Sequence, residues 1–337
     1  MSSLRVCVIY GGWSSERDVS IASAWKVRPY LDELPHEFVE IELSQDRKWI
    51  QVTEHERKHV DPLRFLQDID VALLLLHGVG GEDGVIQGFL ETVGVPYTGP
   101  GVAASSIFMD KILTKHQFMA LGINTPEYFT VTGAEAQDRA YLAQLWTEKA
   151  ARWEQGLVVK PARGGSSFGV SVVDSEHDYV EAVNEASRYD DRILVERFIT
   201  GVEVQVGLIG SSAAPETLPT LELVFNDGQS WFDPDTKYGS DRSRVSFRMP
   251  ADVPNHATTY MRDVALKLYS HYGFEGYGRL DFLVPDSGLP LALEVNTITG
   301  MTPTSTFPLM AEKHGLAYGE LINRLIELAR SREEKVA

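Results

Sequence analysis

Short apolar runs separated by helical patterns dominate the first hundred residues. Residues 5–10 and 38–43 are strand-like, residues 71–76 form a continuous apolar run of strand length, as expected where both faces of a sheet are covered, and residues 96–98 have the pattern of a short strand. Helical patterns lie between them, one opened by a Ser15-x-x-Asp18 capping sequence and another over residues 84–93. This alternation predicts an open parallel sheet, with functional residues at the carboxyl ends of its strands.

The pattern changes near Gly99-Pro100-Gly101, which predicts a domain boundary. A long helical pattern at 103–121 follows, and after it strands and helices alternate irregularly. From residue 197 the strand patterns of a second sheet lead to a polar loop at 227–246 and a closing helix. We therefore expect an α/β domain at 1–99, a central α+β domain at 100–196, a C-terminal domain at 197–331 and a frayed tail at 332–337.

The amino-acid composition and net charge narrow the class of protein. Hydrophobic residues make up 43% and charged residues 23%, which is typical of a soluble globular chain. The net charge of −17 argues against nucleic acid or an anionic membrane as a partner, because no net positive field attracts phosphates. The single Cys7 lies in an apolar strand pattern and is expected to be buried and inert. With no leader-like pattern and no apolar run of about 18 residues, we expect a cytoplasmic protein.

Two strands near the C-terminal end carry polar residues at alternate positions. Arg279 and Asp281 share one face of the first strand, and Glu294 and Asn296 share one face of the second. If residue 284 pairs with 289, then Asp281 faces position 292 and the four side chains lie on one surface. Such hard oxygen ligands suit Mg²⁺ bridging ATP phosphates. A surface hairpin with cross-strand charge pairs has the same spacing.

Two glycine-rich loops each follow a predicted strand. Lys160 ends one strand, and the loop after it offers backbone N–H groups and hydroxyls of the kind that close over phosphates. It is not a Walker loop, and an ordinary hairpin turn remains the alternative. The second loop, His77 to Gly84, lies where an open α/β sheet binds its ligand. Its histidine and two acids are either catalytic or cap the next helix.

Six segments then occur in a fixed order over nearly the whole chain. They are Gly11-Gly12-x-Ser14-x-Glu16-Arg17-x-Val19-Ser20, His77-Gly-x-x-Gly-Glu-Asp-Gly84, Pro96-Tyr97-Thr98-Gly99 with Met109-Asp110-Lys111, Val159-Lys160-Pro161 through Gly169, Lys237-Tyr238, and Glu294-x-Asn296-Thr297 through Thr302. In this order they resemble the motifs of the D-alanine–D-alanine ligase family, which belongs to the ATP-grasp superfamily. The resemblance implies ATP-grasp architecture, with ATP held between the second and third domains. It also implies a homodimer that joins two D-alanines through an acyl phosphate, for peptidoglycan precursor synthesis.

The resemblance further implies a role for each matched polar residue, and it makes residues 227–246 a lid over the site. The implied residues are Lys111, Lys160, Glu196, Glu203 and Lys237 for ATP; Asp281, Glu294 and Asn296 for two Mg²⁺ (or Mn²⁺) ions; Glu16, Ser166, Tyr238 and His77 for the first amino acid; Ser305 and Thr306 for the second; and Arg279 with the backbone N–H of Gly300 for the tetrahedral oxyanion.

Three positions depart from the family pattern. Thr299 stands where proline is common, Gly164 where glutamate is usual, and Thr306 where leucine is common beside the second substrate. None of them removes a metal ligand or a charged catalytic group, but they bear on which acceptor is used. A ligase that accepts D-lactate or another D-amino acid therefore stays open, although Tyr238 favours an amine acceptor.

Two other classes of protein fit less well. A nicotinamide-dependent dehydrogenase requires a three-glycine turn, which Tyr10-Gly11-Gly12-Trp13 lacks. A catalytically silent nucleotide-binding protein has no need of the full set of catalytic lysine, arginine, carboxylate and amide side chains. ADP release without amino-acid-dependent turnover would support that second class.

Overall fold

Three sheets organise the chain in the computed structural model, which describes residues 3–165, 168–225 and 245–336. The strands are β1 (Arg5–Gly11), β2 (Glu37–Leu43), β3 (Trp49–Val52), β4 (Arg57–His59), β5 (Val71–Leu74), β6 (Tyr128–Thr132), β7 (Leu157–Pro161), β8 (Ser171–Val173), β9 (Arg192–Arg197), β10 (Val202–Ser211), β11 (Ala214–Thr217), β12 (Leu221–Phe225), β13 (Val245–Arg248), β14 (Gly276–Val284) and β15 (Leu291–Asn296). The helices are α1 (Arg17–Leu31), α2 (Pro62–Phe65), α3 (Val85–Val93), α4 (Val102–Phe108), α5 (Lys111–Ala120), α6 (Gly133–Ala136), α7 (Arg139–Leu145), α8 (Glu176–Ala186), α9 (Asn255–His271), α10 (Thr306–Lys313) and α11 (Tyr318–Val336), with a 3₁₀ turn at Leu66–Asp68 and a π turn at Trp146–Ala150.

The first sheet has the strand order β4-β3-β2-β1-β5. β1 pairs in parallel with both β2 and β5, so the predicted parallel sheet is confirmed at its centre. β3 and β4 extend the sheet with antiparallel pairing, which the apolar pattern did not predict because β4 is exposed along its whole length. The predicted strand at 96–98 is only a single parallel bridge between Tyr97 and Ala72.

The turn between β1 and α1 positions the first candidate residue. The predicted Ser15 cap was wrong: Glu16 occupies the N-cap, and its side chain makes no capping bond. Instead the Ser14 hydroxyl accepts a hydrogen bond from the Glu16 N–H at 3.2 Å. Glu16 therefore lies buried at the carboxyl end of β1.

The predicted helix at 103–121 is two helices, α4 and α5, separated at Asp110. One Asp110 carboxylate oxygen accepts from the N–H groups of Ile112 and Leu113, each at 3.0 Å, and this caps α5. α5 thus begins at Lys111, whose own N–H donates to the Ala162 carbonyl at 2.8 Å. The cap therefore fixes Lys111 beside the glycine-rich loop that follows β7.

The hydrophobic cores group these elements differently from their order along the chain. Residues of β6, β7, β9 and α8 form a cluster of their own, which includes Phe129 and Val195. Phe108 and Phe118, from α4 and α5, pack instead with Phe282 of β14. The first sheet shares a third, continuous cluster with α10 and α11. Within the described residues, no helix is long and apolar enough to cross a membrane.

Candidate active site

The β14–β15 hairpin brings its four polar residues together, but through a different register from the predicted one. Arg279 lies opposite Asn296, and Asp281 lies opposite Glu294. The predicted partner of Asp281, residue 292, pairs with Phe282 instead, because the pairing of 283 with 291 is already one residue off the predicted register and the register shifts by one more residue between 281 and 282. This irregularity inserts one extra residue in β15. The two carboxylates consequently face each other directly across the strands.

Hydrogen bonds fix these side chains in place. The guanidinium of Arg279 donates to both oxygens of Asp281, from Nε and from Nη2, each at 2.7 Å. Its remaining nitrogen, Nη1, donates to the Thr306 hydroxyl at 3.3 Å. The Asn296 amide donates to Asp281 Oδ2 at 3.1 Å. Because Arg279 and Asp281 are both buried, this bidentate pair holds a positive charge in one orientation at the centre of the site.

The chemistry of this donor set fits Mg²⁺. Two facing carboxylates, Asp281 and Glu294, and the amide of Asn296 are hard oxygen donors, which is what Mg²⁺ prefers. Within the described residues, no three His, Cys, Asp or Glu side chains group as a metal site. Such a small protein set is expected where phosphates and water complete the coordination.

A cavity of about 190 Å³ lies between the central sheet and this hairpin. Apolar side chains such as Val158, Phe168 and Leu283 form part of its wall. Apolar surface beside charged groups suits a nucleotide. Its lining also contains the following predicted residues: Lys111, Lys160, Glu196, Glu203, Arg279, Asp281 and Glu294.

Glu196 is the charged centre of the central-domain wall. Its carboxylate pairs with the ammonium groups of both Lys115 and Lys160. Burial alone would raise the pKa of Glu196, but the two lysines lower it to about 2. Burial lowers the pKa of Lys115 to about 8, against the attraction of Glu196. Two cations thus share one carboxylate, which leaves a local excess of positive charge in this wall, as phosphate binding requires.

The loop after β7 connects the two lysines with the first domain. The Lys111 ammonium donates to the carbonyl of Gly164, and burial lowers the pKa of Lys111. At Gly165 an added Cβ would lie only 2.8 Å from either oxygen of the Glu16 carboxylate. Only glycine permits this approach. The loop therefore touches the N-terminal residue predicted to bind the first amino acid.

A second cavity, of about 450 Å³, adjoins the first. It is lined by residues of α1 and the turn before it, of the loop that follows β5, of β10, β13, β14 and β15, and of the turn before α10. Ser305 is held there by a 2.7 Å hydrogen bond between its hydroxyl and that of Thr302. The lining contains the following predicted residues: Glu16, His77, Arg279, Asn296, Gly300, Ser305 and Thr306.

His77 is held by the loop that follows β5. Its backbone carbonyl accepts from the Ser14 hydroxyl at 2.7 Å, and its Nδ1 lies 3.7 Å from Glu82 Oε1. Burial raises the pKa of Glu82, whereas the neighbouring His77 imidazole acts in the opposite direction. The His77 Nε2 is buried and has no hydrogen-bond partner in the described part of the chain. A buried donor or acceptor of this kind at a cavity wall is suited to a polar ligand.

The two cavities share part of one wall. Gly165, Gln205 and Arg279 line both of them. Ligands bound in the two cavities can therefore meet beside the Arg279 side chain, which lines both cavities. This arrangement is suited to transfer of a charged group between two bound molecules.

Three predicted residues cannot be located. Ser166, Lys237 and Tyr238 lie outside the described residues.

Two residues that line or support the cavities, Lys115 and Gln205, were not predicted. Lys115 is four residues after Lys111 on α5, and Gln205 is two residues after Glu203 on β10, so each shares a face with a predicted residue. The sequence spacing thus contained a signal for both.

Comparison with known proteins is consistent with this geometry. Residues 118–327 match the family model described as "D-ala D-ala ligase C-terminus", and residues 55–100 match "D-ala D-ala ligase N-terminus". The chain belongs to the D-alanine–D-alanine ligase family. A family member from Desulforamulus reducens is 37% identical over 330 residues, covering 97% of this chain and 99% of its own length.

Solved structures of family members have the same fold. The D-alanine–D-alanine ligase of Coxiella burnetii matches with a TM-score of 0.81 at 27% identity, covering 100% of this chain and 96% of the other. The Bacillus anthracis enzyme, determined in complex with ATP, matches with a TM-score of 0.78 at 27% identity, covering 99% of this chain and 100% of the other. The predicted ATP-grasp architecture is therefore confirmed.

Proposed function

We propose that this chain catalyses the ATP-dependent ligation of two D-alanines to D-alanyl-D-alanine for peptidoglycan precursor synthesis. The observation that carries the proposal is a pair of cavities that share Arg279 as a lining residue. Lysine side chains line the first cavity and suit the phosphates of a nucleotide, and polar side chains line the second and suit small zwitterionic amino acids. Membership of the ligase family supplies the reaction.

The first step forms an acyl phosphate. A carboxylate oxygen of the first D-alanine attacks the γ-phosphorus of ATP, the bond to the β-phosphate oxygen breaks, and ADP leaves. Lys111 and Lys160, with Lys237, bind the phosphates; Glu203 lies on the ribose side. Glu196 lies on the side of the cavity that binds adenine. Because its carboxylate pairs with Lys160 as well as with Lys115, it also orients the Lys160 ammonium group.

Asp281, Glu294 and Asn296 are the residues that would hold Mg²⁺. When bound there, Mg²⁺ neutralises phosphate charge and orients the γ-phosphoryl group.

The second step forms the peptide bond. The deprotonated amine of the second D-alanine attacks the carbonyl carbon, and inorganic phosphate leaves. Arg279 and the backbone N–H of Gly300 stabilise the tetrahedral oxyanion, since both line the second cavity. Ser305 and Thr306 bind the second substrate.

The first amino acid lies deeper in the second cavity. Its ammonium pairs with Glu16, in a network that includes Ser166 and Tyr238. His77 lies near its carboxylate, supported by Glu82.

Phosphate release screened over paired D-amino and D-hydroxy acids tests this function. The expected result is D-alanyl-D-alanine and phosphate in equal amounts, with ATP and Mg²⁺ both required. Asp281→Asn is expected to abolish turnover, while Asp286→Asn, in the exposed turn of the same hairpin, retains it. Preference for D-lactate over D-alanine at neutral pH, or ADP release independent of amino acids, would contradict the proposal.

The family also suggests a cytoplasmic homodimer. Sedimentation equilibrium of the purified chain tests the dimer, and cell fractionation tests the location. A monomer at micromolar concentration would contradict the first of these expectations.

A further inference from the structure

Gln205 occupies the wall that the two cavities share. It lies on β10 directly opposite Asp281 of β14, and only 3% of its surface is exposed. Because side chains alternate along a strand, it points to the same face as Glu203, which lines the nucleotide cavity. Gln205 is therefore a buried polar side chain at the junction of the two cavities.

The oxygen of the Gln205 side-chain amide stands out among the buried polar atoms of the described residues. Its Oε1 is buried and has no hydrogen-bond partner in the described part of the chain. The guanidinium of the neighbouring Arg279 already donates its hydrogen bonds to Asp281 and to Thr306. Buried amides are nearly always hydrogen-bonded, and a turn of this amide by 180° about its terminal bond exchanges its oxygen with its nitrogen, so that its N–H groups can face a ligand acceptor at the cavity wall.

The group that passes this point identifies the ligand atom. If the chain follows the proposed ligase mechanism, the γ-phosphoryl group moves from the first cavity to a carboxylate in the second. Its oxygens are acceptors, and the amide nitrogen of Gln205 is a two-fold donor. An ammonium group is a poorer partner here, because the Arg279 guanidinium lines the same wall.

We infer that Gln205 is a further catalytic residue, whose amide N–H donates to the phosphoryl group during its transfer to the first amino acid. The amide rotates about its last side-chain bond at little cost because no protein bond restrains it. This N–H donor supplements the lysines and Arg279 at the wall that the two cavities share, where the phosphoryl group passes from one cavity to the other. This inference rests on the proposed function.

Two substitutions separate donor from acceptor roles. Gln205→Met keeps the volume but removes the amide, and we expect kcat to fall about 10- to 100-fold while KM for ATP changes less than about threefold. Gln205→Glu keeps the size but replaces the donor with a negative charge, so we expect a larger loss. Gln117→Met, a half-buried glutamine on α5 that accepts from the Tyr272 hydroxyl at 2.6 Å, is the matched control and keeps wild-type kcat.

Phosphoryl transfer is followed separately from peptide formation by positional isotope exchange in ¹⁸O-labelled ATP, measured with the first D-alanine present. The Gln205 variants are expected to slow this exchange in proportion to kcat. If Gln205→Met does not fold, Gln205→Asn, which keeps a shorter amide, is expected to show an intermediate loss.

The outcomes distinguish the inference from the function. Absence of dipeptide with the wild-type chain contradicts the proposed function itself. An active wild type with unaffected Gln205 variants overturns only the inference. A Gln205→Glu variant that is as active as Gln205→Met or more so also overturns it, because that result makes Gln205 an acceptor for an amine.

Discussion

At the scale of single residues, the wall of the nucleotide cavity depends on one buried carboxylate shared by two lysines. Lys115 is fully buried and pairs with Glu196, which also pairs with Lys160. Its ammonium donates to the Thr125 hydroxyl as well. If one of these three side chains is removed, the charges of the other two are no longer balanced in an environment of low dielectric constant. Lys115 therefore positions Glu196 and Lys160 without lining the cavity itself.

Replacement of Lys115 by methionine tests this role. We expect KM for ATP to rise about 10-fold, because Glu196 then draws Lys160 away from the phosphates. In the wild type, ATP affinity should fall as pH rises through about 8, where Lys115 loses its proton. Lys115→Met should lack this step. Steady-state kinetics from pH 6 to 9.5 measure both effects, with Lys58→Met, on the exposed β4, as the control. An unchanged pH profile in the variant would contradict the assignment.

The same cluster predicts how stability depends on pH. The pKa of Glu196 is lowered from 4.5 to about 2, so its contribution to the free energy of unfolding is complete above 4.5 and is lost as pH falls toward 2. The pKa of Lys115 is lowered from 10.5 to about 8, so this group makes the free energy of unfolding rise between those two values. Urea unfolding measured across pH should show a weaker acid dependence in Glu196→Gln than in the wild type. An equal acid dependence in both proteins would be the contrary result.

Arg279 provides a second prediction at this scale. Its planar fork holds Asp281 with two bonds and leaves a third nitrogen toward Thr306, a geometry that lysine cannot reproduce. We expect Arg279→Lys to lower kcat by about 100- to 1,000-fold, the cost of one oxyanion donor. Arg262→Lys, on the exposed side of α9, is the matched control. If Arg279→Lys retains kcat within threefold of the wild type, the guanidinium group does not contribute to the reaction.

At the scale of elements, the loop between β7 and β8 joins two domains through a glycine. Gly165 approaches the Glu16 carboxylate so closely that a methyl group would lie 2.8 Å from its oxygens. The neighbouring carbonyl of Gly164 meanwhile accepts from Lys111. The loop thus couples the nucleotide cavity to the amino-acid cavity.

Gly165→Ala should weaken this coupling. We expect KM for the first D-alanine to rise about 10-fold, because the added methyl displaces either the loop or the Glu16 carboxylate. Gly88→Ala is the control: its added methyl would lie 3.7 Å from Val102, and alanine suits the helix α3. Kinetics with each substrate varied separately give the comparison. A similar rise in both variants would count against a specific contact.

At the scale of the whole molecule, the first and third domains share a core. Leu321, Ile322, Leu325 and Ile326 of α11 are fully buried in the cluster that contains the first sheet. The central sheet keeps a separate cluster with Leu142. We retain the three-domain division at 99 and 196 as a proposal, while noting that α4 and α5 pack with the third domain's core.

Two equivalent leucine truncations test this organisation. Leu325→Ala and Leu142→Ala each remove a fully buried side chain, and we expect each to lower the free energy of unfolding by about 2–5 kcal/mol. Native-state hydrogen exchange should differ between them. Leu325→Ala should increase exchange in both β5 and β14, whereas Leu142→Ala should increase it only in the central sheet. Increased exchange confined to the C-terminal domain in Leu325→Ala would mean that the shared core is not cooperative.

The sequence by itself determined the local features of this protein. Apolar periodicity located β1, β2 and β5, because a buried strand needs a continuous apolar run. Six ordered motifs, with Lys160 and Glu294 among their residues, and the alternating polar residues Arg279 and Asp281 indicated the residue types of the site, because the chemistry of phosphoryl transfer demands them. The edge strand β4 was missed because it is exposed along its whole length and carries no apolar pattern.

The tertiary structure decided what depends on long-range pairing. Asp281 lies opposite Glu294, which counting back from the turn could not predict: the pairing beside the turn is one residue off the predicted register, and the extra residue in β15 displaces every later pair by one more. Lys115 acquires its role only when folding brings α5 against β9 and buries its charge beside Glu196. The meeting of two cavities at Gln205 and Arg279 likewise requires elements from all three domains. Local pattern thus specified which groups are present, and packing specified which of them act together.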